Sequence, residues 1–109
     1  MNTLILDHET FVEFHATLGH ASAVMWIEKF LQTLEGVALA RDADEADRDQ
    51  VFETAHLIIA RAGLVGCQRL ADECVDLQRA CKTGEDFLKP YAAMRAAAAE
   101  AGKALRNAL

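Results

Sequence analysis

Apolar residues in this chain recur in alternating steps of three and four, the spacing that places side chains on one face of an α-helix. Five segments carry this pattern. Their apolar stripes are Phe11, Phe14 and Leu18; Val24, Ile27, Leu31, Leu34 and Ala38; Val51, Ala55, Ile58, Ala62 and Val65; Cys67, Leu70, Cys74, Leu77 and Cys81; and Tyr91, Met94, Ala98, Ala101, Leu105 and Ala108. No segment alternates with period two, so we expect no sheet. The sequence predicts an all-α protein.

Breaks between the segments predict where the helices end. Gly19, the acidic stretch RDADEADRD at 41–49, Gly66 and the Lys-Thr-Gly sequence at 82–84 separate the stripes. Pro90 cannot sit comfortably inside a helix, so the last helix is expected to begin close to it. Four long amphipathic helices with short connections predict an up-and-down four-helix bundle. The short first helix would cap one end, and residues 1–109 would form a single domain.

The charge balance restricts the class of partner. Eleven Lys and Arg stand against 17 Asp and Glu, which gives a net charge of −6. Nucleic acids and anionic membranes both favour clustered positive charge, so neither is expected as a partner. The opening MNTLILDHET has the features of neither a signal peptide nor a membrane span, and an odd number of cysteines fits a reducing compartment. We therefore expect a cytoplasmic protein.

The three cysteines and the acidic stretch look like motifs but predict ordinary structure. Cys67, Cys74 and Cys81 are seven residues apart, which is about 10 Å along a helix and too far for a shared zinc ion or a disulfide. We expect them to be small buried packing residues. The stretch at 41–49 lacks the glycine and glutamate of a calcium-binding EF-hand loop. It predicts a solvated loop in which Asp44 or Asp47 caps the next helix.

His56 lies in the stretch FETAHLIIARAGLVGC, within a predicted helix. At 100° per residue, Val51, Ile58, Ala62 and Val65 fall on the opposite side, which faces the core. His56 is therefore expected to point outward. The helical spacing of the apolar residues alone favours an outward His56 over a core histidine.

The neighbours of His56 on the same face are either very small or apolar. Ala60 and Gly63 leave the helix surface bare, and a glycine inside a helix costs about 1 kcal/mol relative to alanine. Phe52 and Ile59 would form an apolar rim of the kind found at protein-docking sites. An ordinary surface histidine, with Gly63 only marking the fraying end of the helix, is the alternative.

A metal site is the rival chemistry for this histidine. Glu53-x-x-His56 has the spacing of di-iron helix bundles, but those sites need a second such pair and two further glutamates on facing helices. The chain contains no second Glu-x-x-His and no His-Glu-x-x-His motif. No serine or cysteine lies in the glycine-flanked turn of a nucleophile elbow either. The sequence predicts no metal ligands.

The stretch AHLIIARAGLVGCQRLADEC resembles the signature of the histidine phosphotransfer (HPt) domain of two-component phosphorelays, roughly A-H-x-L-K-G-S-A-x-x-L-G-A-x-x-L. The matching positions are Ala55, His56, Ile58, Ala62, Val65, Gly66, Cys67 and Leu70. The opening LDHETFVEF is similar to the short first helix of the family, so the resemblance extends over nearly the whole chain. Three positions depart from the signature. Ile59 replaces the family lysine, Ala60 its glycine and Arg61 its serine.

The resemblance implies a phosphorelay step. His56 would accept a phosphoryl group from a receiver-domain aspartate and pass it to another receiver, with Phe52, Ile59, Ala60 and Gly63 as the partner-binding face. The chain would be a carrier more than an independent enzyme. It would need no cofactor of its own, because the receiver supplies the Mg²⁺.

The implied partners are response-regulator receiver domains or a hybrid histidine kinase, and we expect the protein to be a monomer. A basic residue from the next helix, such as Arg69, would have to replace the missing lysine. The alternative is a degenerate HPt adaptor that docks a receiver or kinase without carrying phosphate. The chain is too short to add the ATP-binding domain of a kinase to a histidine hairpin.

Overall fold

The architecture is all-helical, as the apolar periodicity predicts. The computed structural model describes residues 3–109, and it contains no strand in that range. Its elements are α1 (His8–Leu18), α2 (His20–Ala38), a 3-10 turn (Glu45–Asp47), α3 (Arg48–Val65), α4 (Gln68–Thr83) and α5 (Leu88–Ala108). Pro90 lies in the first turn of α5, where its missing N–H removes no helical hydrogen bond. No helix within residues 3–109 combines the length and apolar character needed to cross a bilayer.

The helices pack as neighbouring pairs around one apolar core. α3 lies against α4, α4 against α5 and α2 against α5, while α1 contacts α2 and α3. α3 and α4 run in opposite directions. Arg48 at the start of α3 donates to the carbonyls of Ala80 and Cys81 near the end of α4, at 3.1 and 3.2 Å. The Arg48 guanidinium also lies 5.0 Å from the centre of the Phe87 ring. This one side chain therefore joins three parts of the fold.

The predicted core stripes of α3 and α4 are confirmed, since every residue in both is buried, including the three cysteines. The predicted stripes also include Leu18 and Ala108, and this part of the prediction is wrong: both are exposed, because each lies at the end of its helix. Phe87 was not on any stripe, yet only 1% of its surface is exposed. It precedes α5 and packs into the core from the connection, where helical period gives no signal.

The N-terminal segment crosses the turn between α3 and α4. Gly66 ends α3 with a φ of 100°, a conformation that favours glycine. A Cβ at Gly66 would lie 2.7 Å from the carbonyl oxygen of Asp7, so a side chain is excluded there. The Asp7 N–H donates to the Gly66 carbonyl at 2.7 Å, and the Arg69 N–H donates to the Leu4 carbonyl at 3.0 Å. The start of the described chain is thereby fixed to its middle.

The acidic stretch forms an exposed connection, as predicted, but its capping differs from the prediction. Asp44 caps the 3-10 turn by accepting from the Ala46 N–H. Asp47 occupies the N-cap position of α3, yet its carboxylate makes no hydrogen bond to that helix. It is instead bound by both terminal nitrogens of Arg41, which hold the pKa of the Asp47 carboxyl below its usual range. Neither aspartate caps α3 with its side chain.

Candidate functional site around His56

His56 is exposed on α3, on the side away from the core, as the helical period predicted. Its Nδ1 lies 3.1 Å from the side-chain amide nitrogen of Gln78 on α4. Nε2 has no hydrogen-bond partner among the side chains of residues 3–109. The amide contact thus occupies one ring nitrogen and leaves the other open to solvent and to an incoming group.

The Phe52 ring lies beside the imidazole one helical turn earlier. The two ring planes are 7° from parallel and their centres are 6.3 Å apart. Phe52 is half-buried and packs against the core, so it limits the movement of the His56 ring on that side. Together with Gln78 it holds the imidazole from two directions.

The remaining predicted site residues lie on the same outward part of α3. Ile59 is half-buried and packs against the core, and Ala60 and Gly63 are exposed. A Cβ at Gly63 would meet nothing within 4 Å, so internal packing does not require glycine there. Gly63 lies in the last turn of α3, which ends at Val65. Internal packing therefore does not explain why the helix surface beside His56 carries no side chain at this position.

Exposed leucines extend this surface. Leu57 and Leu64 expose 51% and 56% of their area. Both lie within about 100° of His56 around the helix, at 100° per residue. An exposed group of apolar side chains around one polar group is typical of a protein-docking surface.

Arg69 does not serve as the cation near His56 that the sequence suggested. Its guanidinium donates to the Thr3 carbonyl at 2.9 Å and lies 3.6 Å from the Glu100 carboxylate. It stands in the first turn of α4, about 13 Å along the helix from Gln78. The N-terminal segment and α5 therefore hold it far from the imidazole.

Two residues of α4 were missed by sequence reasoning and belong to this region. Gln78 binds the imidazole, and Lys82 lies one turn further along the same side of α4 and is exposed. Lys82 forms no ion pair with any residue in the range 3–109. Both positions flank the apolar stripe of α4 at helical spacing, but only the register of α4 against α3 shows which histidine they face.

The cysteines beneath this surface do not compete with His56 as nucleophiles. Burial raises the pKa of Cys67 and of Cys74 to about 12. A thiol at neutral pH in such an environment stays protonated, and the thiol is far less nucleophilic than the thiolate. Of the cysteine and histidine side chains in this part of the structure, the exposed one is His56.

The site is not built for a metal ion by the residues that the structure describes. Across residues 3–109, no three His, Cys, Asp or Glu side chains come together as a metal-binding group. Glu53 and His56 share a face of α3 without further ligands of that kind. The chain matches no protein-family model, no curated protein and no solved structure.

Proposed function

We propose that this protein is a stand-alone histidine phosphotransfer protein, in which His56 accepts a phosphoryl group from one receiver domain and passes it to another. The observation that carries the proposal is the exposure of the imidazole and the hydrogen bonding of its two nitrogens. His56 is exposed on α3, its Nδ1 contacts Gln78 and its Nε2 is open. This geometry suits a side chain that must meet a reacting group belonging to another protein.

The proposal includes a finer description of the fold. The long helices α2 to α5 would form an up-and-down four-helix bundle, with α1 capping one end. The opposite directions of α3 and α4 and the contacts of α2 and α4 with α5 support this arrangement. It is also the architecture that the resemblance to HPt domains implies.

The transfer step uses the neutral imidazole as nucleophile. Nε2 attacks the phosphorus of the receiver's aspartyl phosphate, an N–P bond forms, and the P–O bond to the aspartate breaks to release its carboxylate. Attack by Nε2 requires the ring proton on Nδ1, whereas the Gln78 amide nitrogen, which can only donate, places that proton on Nε2 in the structure. A proton on Nδ1 requires an acceptor, which is Gln78 Oε1 after a half-turn of the amide. Gln78 is therefore a positioning residue that can hold the ring in its nucleophilic tautomer.

The bare and apolar surface beside the imidazole supports a docking role. Ala60 and Gly63 leave room for a receiver domain to approach His56, while Phe52 and Ile59 provide apolar contact area. Short side chains at helical spacing allow another protein's backbone to come close. These four residues form the proposed partner-binding face.

Charge on the phosphoryl group must be offset, and Ile59 cannot do so. Lys82 is the exposed cation one turn beyond Gln78 on the same side of α4, and we assign it to this role because Arg79 is already paired with Asp76. The receiver would provide the remaining positive charge with its own Mg²⁺, so this chain would supply no cofactor. The partners would be response-regulator receiver domains or a hybrid histidine kinase, and the protein would act in the cytoplasm as a monomer.

Phosphotransfer from a panel of phosphorylated receiver domains tests the proposal directly. The wild type should acquire an acid-labile, base-stable label, and His56→Ala should acquire none. His8→Ala removes another exposed histidine, on α1, and should be labelled like the wild type. Failure of every receiver to label the wild type, with binding intact, would reject the carrier function.

The docking face has a matched pair of glycines for its own test. Gly63 and Gly36 both lie inside helices, and a Cβ at either would meet nothing within 4 Å. Gly63→Gln should slow transfer at least tenfold because the longer side chain obstructs the approach to His56. Gly36→Gln on α2 should leave the rate unchanged. Equal rates for both variants would remove Gly63 from the docking face.

A degenerate HPt adaptor is the second candidate, and the missing lysine favours it. Ile59 is apolar and half-buried where the family signature has a cation, and the acidic Asp49 and Glu53 lie on the same side of α3. Both acids would disfavour a phosphoryl group. An adaptor would bind a receiver or kinase with the same affinity as wild type when His56 is replaced by alanine, and it would never be labelled.

A further inference from the structure

Arg61 has no role in the proposed phosphotransfer step, because it lies about 140° around α3 from His56. It lines a cavity of about 290 Å³ between α2 and α3. The other lining residues are Trp26, Lys29, Phe30 and Thr33 of α2. The two helices are not a closely packed pair, which leaves the space open.

The charge state of this cavity is unusual for the protein. The other six arginines of the described chain each form an ion pair with an acidic side chain. Arg61 is the one arginine among residues 3–109 without such a partner, and Lys29 has none in that range either. In a protein with a net charge of −6, two adjacent cations without acids attract an anion from outside the chain.

An aromatic surface lies beside these cations. Trp26 is half-buried, and its ring centre lies 4.8 Å from that of Phe14 and 5.3 Å from that of Phe30. These contacts hold the indole in place, and a held aromatic ring gives contact area at little cost in conformational entropy. The cavity thus combines an apolar aromatic part with two positive charges.

We infer that the cavity between Trp26, Lys29 and Arg61 binds a small aromatic anion. Its ring would pack against Trp26 and Phe30, and its anionic group would lie between the Lys29 ammonium and the Arg61 guanidinium. The volume matches the lower end of small-molecule sites, enough for a single ring with one phosphate or carboxylate. Nucleic acid is a poorer fit, because only two cations are present and the chain is acidic overall.

Trp26 is the only tryptophan of the protein, so its fluorescence reports on this cavity alone. The experiment titrates the full chain with phenyl phosphate at low ionic strength and follows the fluorescence together with the indole N–H resonance. Both signals should change and saturate at one equivalent. Benzoate in a parallel titration shows whether the site also takes a carboxylate, while inorganic phosphate and benzyl alcohol should bind at least tenfold more weakly.

Substitutions assign the charge contacts. Arg61→Gln should weaken phenyl phosphate binding at least tenfold, because it removes one of the two charges that contact the anionic group. Lys29→Gln should weaken it by a similar or smaller factor. Lys103→Gln replaces an exposed lysine on α5 and should change nothing.

Three results would overturn the inference. They are an unchanged Trp26 signal, equal affinity for benzyl alcohol and phenyl phosphate, or full affinity in Arg61→Gln. Each is independent of phosphotransfer, so the site and the function of His56 can fail separately. Both cations are exposed, so neither substitution removes core packing, and circular dichroism checks that the variants are folded.

Discussion

The side of α3 that faces α4 (the α4 flank) and the side that faces α2 (the α2 flank) differ in how closely the neighbouring helix packs. On the α4 flank the helices pack closely, Gln78 contacts His56, and Arg48 bonds to the end of α4. On the α2 flank two cavities of about 300 and 290 Å³ separate the helices. One helix therefore presents a rigid side and an open side.

Residue size accounts for part of this difference. Small buried side chains are frequent on the closely packed flank, and they let helix axes approach each other. Trp26 and Phe30 on α2 are large, and the loop after Ala38 separates the other end of α2 from α3. A rigid flank suits a side chain that must be held for chemistry, whereas an open flank suits the binding of a small molecule.

The largest expected effect is loss of packing on the closed flank. Leu77 on α4 is fully buried, so Leu77→Ala should lower the free energy of unfolding by about 2–5 kcal/mol. Leu57→Ala removes a leucine that is half-exposed on α3 and should change it by less than about 0.5 kcal/mol. Urea denaturation of both variants measures the difference. Similar losses would show that the closed flank is no better packed than the outer surface.

The thiols give a pH test of the same flank. Burial raises the pKa of Cys74 from 9.0 to about 12, so the folded state keeps a proton that the unfolded chain releases above pH 9. Stability from this group is complete below pH 9 and falls as the pH rises toward 12. Between pH 7 and pH 10 the loss should be about 1.4 kcal/mol.

Cys74→Ala isolates this contribution from other titrating groups. The variant should show about 1.4 kcal/mol less loss of unfolding free energy than the wild type between pH 7 and pH 10. Urea denaturation at both pH values gives the comparison. Identical pH dependence in the two proteins would mean that solvent reaches the thiol in the folded state.

Glycine substitutions compare two positions of α3. Gly63→Ala should raise the free energy of unfolding by up to about 1 kcal/mol, because a Cβ there meets nothing and alanine favours the helix. Gly66→Ala should lower it, since the φ is 100° and the Asp7 carbonyl lies in the way. Thermal unfolding monitored by circular dichroism distinguishes the signs. A loss of stability in Gly63→Ala would indicate that the surface beside His56 is not open.

The smallest effect is expected on the open flank. Thr54 lines the larger cavity, and its hydroxyl bonds to the Gln50 carbonyl of its own helix. Thr54→Leu fills part of the space and should raise or lower the free energy of unfolding by less than about 1 kcal/mol. Thr17 makes the same hydroxyl contact at an exposed position of α1, so Thr17→Leu serves as the control. A large loss in Thr54→Leu alone would show that this flank is packed after all.

The fold was largely predictable, and the site only in part. The period of Val51, Ala55 and Ile58 fixes which side of α3 is buried, and the outward position of His56 follows from it. The contact of His56 with Gln78 could not be predicted, because it depends on the register of two helices across the Gly66 turn. Phe87 was missed for a related reason, since its burial is decided by distant helices and not by its neighbours in sequence.

The contact between the N-terminal segment and the α3–α4 turn bears on the order of folding. α3 and α4 are neighbours in sequence, so their pairing closes only a short loop. Arg69 and Thr3 meet across 66 residues of sequence, and closing so long a loop costs more entropy. The α3–α4 hairpin can therefore form first, and the beginning of the chain would then act as a latch that closes late and opens early.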